Sequence, residues 1–174
     1  MIYLFLLIVS FFITGCNSKK SVDIPEPAPQ KQSEKKEIKW GDAPDFTVNT
    51  INNGTITLSQ FKGKVIILNF WTTWRPPCRA EIPDFIALYN EYKDKGAIII
   101  GLSVDKKEET VKKFIEENGI NYPIGMGNEK IVHDYGGISG IPTSFIIDRE
   151  GNIKEKFIGL RSKEVFENTV KKLF

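Results

Sequence analysis

Only three residues of the 174-residue chain carry a thiol or an imidazole: Cys16, Cys78 and His133. Cys78 ends the run Trp74-Arg75-Pro76-Pro77-Cys78, and Glu81 follows three residues later. A cysteine acts chemically as its thiolate. Two features of the run favour that form: the Arg75 guanidinium, and the positive end of a helix predicted to start at Pro76. The chemistry on offer is therefore sulfur chemistry. Two cysteines cannot staple a disulfide-rich scaffold. One histidine excludes any metal site that needs several imidazoles, and His133 has no cysteine or carboxylate cluster around it in sequence. It is read as a surface or half-buried residue, and no metal or cofactor is expected. Gly136-Gly137-Ile138-Ser139-Gly140 lacks the preceding strand a dinucleotide loop requires, and there is no Walker-type pattern.

Composition narrows the class further. With 24 basic and 22 acidic residues the net charge is +2, which argues against a dedicated nucleic-acid binder. Apolar residues make up 41%, enough for a real core. The length fits one domain with a remainder.

The elements that must hold Cys78 follow from the apolar pattern. A hairpin is predicted over Phe46 to Leu58, turning at Asn53-Gly54, a pair that tolerates positive φ. Ser59 to Gly63 reads as a short turn. Val65 to Phe70 and Ala97 to Val104 are continuous apolar runs, as expected of strands covered on both faces. A helix is predicted from Pro76 to Lys95, with Ile82, Phe85, Ile86, Tyr89 and Tyr92 at helical spacing, a kink at Pro83 and a stop at Gly96. Helices over Glu108–Asn118 and Glu129–Tyr135 follow. Thr143–Asp148 and Ile153–Ile158 are strands joined by a turn, and a last helix starts near Ser162. The order β-β-β-α-β-α-α-β-β-α predicts an α/β fold, a mixed sheet with helices on both faces.

The N-terminus reads as an address. Ile2 to Ile13 is an apolar run too short to span a bilayer comfortably, which needs ~20 such residues, and it matches the core of a secretory signal peptide. It lacks the usual basic start. Ile13-Thr14-Gly15-Cys16 resembles a bacterial lipobox, which implies cleavage before Cys16 and lipid attachment to its sulfur. Residues 16–39 are charged and Pro-containing, and read as a solvated tether. The expected organisation is a signal peptide over 1–15, a lipidated Cys16 with its tether over 16–39, and a folded domain over 40–174. The domain then lies outside the cytoplasm, anchored to a membrane.

Three motifs in order carry a family resemblance: Ala43-Pro44-Asp45-Phe46, the stretch from Val65 through Trp71-Thr72-Thr73-Trp74-Arg75-Pro76-Pro77-Cys78 to Pro83, and Gly140-Ile141-Pro142-Thr143-Ser144-Phe145-Ile146-Ile147-Asp148. Together they resemble the TlpA/ResA group of membrane-tethered, extracytoplasmic thioredoxin-like proteins, over about residues 42–174. The resemblance implies a thioredoxin-like fold with an added N-terminal β-hairpin. It also implies thiol–disulfide exchange on exported proteins, with apo-cytochrome c among the partners, by a monomer. Members of the group carry Trp-Cys-Pro-Pro-Cys, whose first sulfur attacks a partner disulfide and whose second resolves the mixed disulfide. Here Arg75 stands at the first position, and Cys78 matches the second, shielded sulfur. Arg is a permanent cation and no nucleophile, so the dithiol cycle is expected to be lost, with Cys78 buried and Arg75 partly exposed at the helix start.

By the same resemblance Pro142 is a cis-proline facing the site. Ile141, Pro142 and Thr143, with Trp74, Pro76 and Pro77, form the substrate-contacting surface, and Glu81 tunes the thiol's protonation. From the residues alone Glu81 also reads as a solvated helix carboxylate paired with Arg75 or Arg79. Trp71 is read as core. Two alternatives remain. One is a redox-inactive peptide-binding module that keeps the groove. The other is a peroxiredoxin-like antioxidant protein, since peroxiredoxins share the opening Ala-Pro-Asp-Phe. A copper-chaperone reading would need a second cysteine.

Overall fold

The structure is a computed structural model that describes residues 41–174. The expected signal peptide, the lipidated Cys16 and the tether lie outside the described residues. In chain order the elements are β1 (Thr47–Thr50), β2 (Gly54–Thr57), a 3-10 turn (Leu58–Phe61), β3 (Val65–Trp71) and α1 (Pro76–Tyr92). There follow β4 (Ala97–Ser103), α2 (Glu108–Asn118), β5 (Ile124–Met126), α3 (Glu129–Asp134), β6 (Thr143–Ile147), β7 (Ile153–Ile158) and α4 (Lys163–Lys171).

The strands form one seven-stranded sheet in the order β2-β1-β5-β4-β3-β6-β7. The central β3 runs parallel to β4 and antiparallel to β6. Every residue of β3 is buried, and its side chains divide by parity, as a strand requires. Val65, Ile67 and Trp71 join the core beneath α1, α2 and α4, with Ile82, Phe85, Phe114 and Phe166. Ile66, Leu68 and Phe70 join the opposite core with Ile131 and Tyr135 from α3 and its end. The sheet is therefore covered on both faces, and the predicted mixed α/β architecture with its N-terminal hairpin is observed.

Three details differ from the sequence reading. The three-residue β5 had not been foreseen. Its middle residue, Gly125, sits where an added Cβ would lie 2.9 Å from Val48 Cγ2, so close approach to β1 requires glycine there. The predicted turn at Ser59–Gly63 is instead a 3-10 turn that starts one residue earlier, at Leu58. The first long helix ends at Tyr92, with Lys95 already in a tight turn to the Tyr92 carbonyl. No helix among the described residues is long and apolar enough to cross a membrane.

Candidate functional site

The site is assembled where β3 hands over to α1. Trp71, the last residue of β3, is buried against Phe114, with ring centroids 5.6 Å apart. Thr73 is then fixed twice by Asp105: its amide donates to Oδ2 at 2.9 Å and its hydroxyl to Oδ1 at 2.9 Å. Ser103, at the end of β4, donates in turn to Asp105 Oδ2 at 2.7 Å. The segment leaving the sheet is thus tied to the neighbouring strand before α1 begins.

Arg75 is the N-cap of α1, in extended backbone conformation, and Pro76 and Pro77 occupy the first two helical positions. Prolines suit these positions, whose amides would lack helical partners. The Arg75 side chain is half-buried, and its Nη1 donates to the Ile141 carbonyl at 3.0 Å. Its guanidinium carbon lies 5.7 Å from the Trp74 ring centroid, while Trp74 itself is 67% exposed. The Ile141–Pro142 bond is cis. The loop around it is held by the Thr143 hydroxyl donating to Gly140 O at 2.6 Å and by the Gly159 amide donating to Pro142 O at 2.7 Å. Arg75, Ile141 and Trp74 therefore meet at one place, and Pro76 and Pro77 are exposed beside them.

Cys78, the third helical residue, is only 2% exposed and is a free thiol. Burial pushes its pKa up, and the charge of Glu81 adds to the rise. Hydrogen bonding from Thr72 and the Arg75 charge pull the other way, and the net direction is upward. Desolvation outweighs the nearby cation, so the sulfur rests as a thiol.

Glu81 requires a correction. It is not a solvated carboxylate and pairs with neither arginine: it is 1% exposed, on the inward face of α1 with Cys78, Ile82 and Phe85. Arg75 turns instead to Ile141. Arg79 turns to Thr73 O at 3.3 Å and to the Phe114 ring at 5.0 Å. Glu81 Oε1 accepts the Arg161 amide at 2.9 Å, and its Oε2 has no partner. Burial raises its pKa to about 7, against the lowering effect of the Arg161 amide and charge. It is a carboxyl poised to exchange a proton near neutrality, on the same helix turn as the thiol.

Sequence reasoning missed Thr72 and Arg161. Thr72 could have been suspected from its place between strand and helix. Nothing local marks Arg161, which lies 80 residues from Glu81 and reaches it through the β7–α4 connection. His133 is exposed beside Asp134, away from this site. Among the described residues no group of three or more His, Cys, Asp or Glu could hold a metal ion.

A sheet order of this kind, with a cysteine at the start of α1 and a cis-proline loop beside it, defines the class of thioredoxin-like proteins. Comparison with known proteins sharpens the class. Residues 41–156 match the AhpC/TSA family. Thiol-disulfide oxidoreductase ResA of Bacillus anthracis is 40% identical over 133 residues, covering 76% of each chain. ResA of Bacillus subtilis is 33% identical over 127 residues, covering 73% of this chain and 71% of that one. Among solved structures, a putative thiol:disulfide interchange protein DsbE from Chlorobium tepidum superposes with a TM-score of 0.73 at 30% identity, covering 78% of this chain and 96% of that chain. StoA from Bacillus subtilis gives 0.64 at 28% identity, covering 72% and 96%. The chain belongs to the AhpC/TSA family, among its ResA-like thiol-disulfide oxidoreductases.

Proposed function

We propose that this chain is a membrane-anchored, extracytoplasmic thioredoxin-like protein, tethered through a lipidated Cys16, whose lineage reduces or exchanges disulfides in exported proteins, apo-cytochrome c among them. In this chain Arg75 takes the place of the attacking cysteine, and dithiol turnover is lost. The observation that carries the reading is that Cys78, the one described sulfur of the site, is buried with a raised pKa, while Arg75 occupies the N-cap in front of it. A dithiol cycle needs an attacking thiolate and a resolving thiol, and only the second has a counterpart here.

What remains is a surface suited to holding an extended peptide. Trp74, Pro76 and Pro77 are exposed and Ile141, bonded to Arg75, is half-buried, whereas Pro142 and Thr143, expected at the contact surface, are buried, Thr143 as the first residue of β6. Exposed Trp is enriched among residues that dominate binding. The names of the curated relatives favour thiol–disulfide exchange over peroxide reduction, and a peroxidatic sulfur would suffer the same loss at Arg75. The test is reduction of a small aromatic disulfide by the full chain with a dithiol as electron source. The rate should not exceed that of the dithiol alone. Turnover at the level of dithiol relatives would overturn the reading.

A further inference from the structure

Three arginines border the site, and among the described residues none of them lies within ion-pair distance of a carboxylate. Four lysines on the helices behave differently: Lys113 pairs with Glu117, Lys130 with Asp134, Lys163 with Glu91 and Glu167, and Lys171 with Glu167. All three arginines are engaged by a backbone carbonyl and an aromatic ring. Arg79 is bound to Thr73 O and lies over Phe114. Arg161 donates to Leu160 O at 2.8 Å and lies over Phe157. Arg75 donates once, to Ile141 O, and lies over Trp74, and it is the one of the three that sits at the cis-proline loop. A guanidinium has five donors in a planar fork, a shape that matches a carboxylate. Most of the fork of Arg75 is unspent.

The surroundings define what the fork could take. Pro76 and Pro77 bring no N–H to the first turn of α1, so the guanidinium is the main anion-binding group there. Glu81 does not neutralise it, being buried and held by the Arg161 amide. Trp74 stands exposed beside it. The Ile141 carbonyl, which could accept an N–H from a bound strand, already accepts from Arg75. A backbone acceptor has in effect been exchanged for a cationic fork of donors.

We infer that this groove selects extended, apolar peptide segments that carry one acidic side chain, whose carboxylate binds the Arg75 guanidinium. The inference rests on the peptide-groove reading above and adds its specificity. Charge-assisted, bidentate contacts of this kind are strong because donor and acceptor are both ionised and matched in shape.

The test uses the full chain and three labelled, end-blocked valine-rich hexapeptides, identical except for a central Glu, Gln or Lys, with binding read by fluorescence anisotropy. The Glu peptide should bind about tenfold more tightly than the Gln peptide, with the Lys peptide weakest. The Glu preference should fall to within about twofold in Arg75→Gln and persist in part in Arg75→Lys. Equal binding of the Glu and Gln peptides, or an unchanged preference in Arg75→Gln, overturns the acidic specificity and leaves the groove standing. If none of the three peptides binds, the groove reading falls and the specificity with it.

Discussion

At its last turn α1 meets α4 in a fully neutralised seam. The Tyr92 hydroxyl donates to Glu167 Oε1 at 2.8 Å, Lys171 pairs with the same oxygen at 2.6 Å, and Lys163 bridges Glu91 and Glu167. At its first turn the same helix carries Arg75 without a carboxylate partner, a buried thiol, and a buried carboxyl with one oxygen unsatisfied. The glutamates at the two ends are perturbed in opposite senses. Lys171 and Tyr92 hold Glu167 down to about 2, whereas burial lifts Glu81 to about 7. One end satisfies its charges and fastens two helices together. The other keeps polar groups buried and incompletely paired, a state that costs stability and is retained where chemistry or binding needs it.

The sharpest way to break the contrast is to probe Cys78 itself. Its alkylation by a small maleimide should be slower by orders of magnitude in the native chain than in urea, because both access and thiolate are suppressed. Comparable rates would place the sulfur at the surface. The pH dependence of stability comes next. A carboxyl whose folded pKa is raised stabilises the fold fully below its unfolded pKa, and that stability fades as pH rises through the folded value. Between pH 4.5 and pH 8 the native chain should therefore lose about 3 kcal/mol from Glu81 that Glu81→Gln does not lose, measured by urea unfolding. A packing test follows. A Cβ on Gly101 would lie 2.4 Å from Ile124 Cδ1 and 3.0 Å from Trp71 Nε1, so Gly101→Ala should cost about 1–3 kcal/mol by overpacking under the site. The smallest effect belongs to the neutralised end. Glu167 has a lowered pKa, so its contribution exists above pH 4.5 and is lost as pH falls toward 2. Glu167→Gln should unfold slightly earlier than the native chain at neutral pH and converge with it in acid.

The two ends of α1 also differ in how far the sequence disclosed them. The buried runs at β3 and β4, the Asn53-Gly54 turn and the Pro76-Pro77 start announced their elements, because each rests on a local rule of spacing or backbone freedom. Trp71 was legible as buried for the same reason, whereas the burial of Cys78 was implied by the family resemblance. Glu81 was not, although it lies on the apolar face of α1 with Ile82 and Phe85. A carboxylate in such a position reads as solvated until its partner is known, and that partner is the amide of Arg161. β5 escaped notice because three residues with a central glycine carry no periodicity. The contact between Arg75 and Ile141 spans 66 residues of sequence and depends on the loop's closing over the helix start.

The central claim is that the scaffold is intact and lacks only its attacking sulfur. Restoring that sulfur tests it most directly. Mild oxidation of the full-length Arg75→Cys variant, followed by counting of free thiols, should show two thiols lost per chain, and the reduced variant should turn over the aromatic disulfide while the native chain should not. A variant that folds yet keeps its thiols free and stays silent, or a native chain that turns over as fast as the variant, would contradict it.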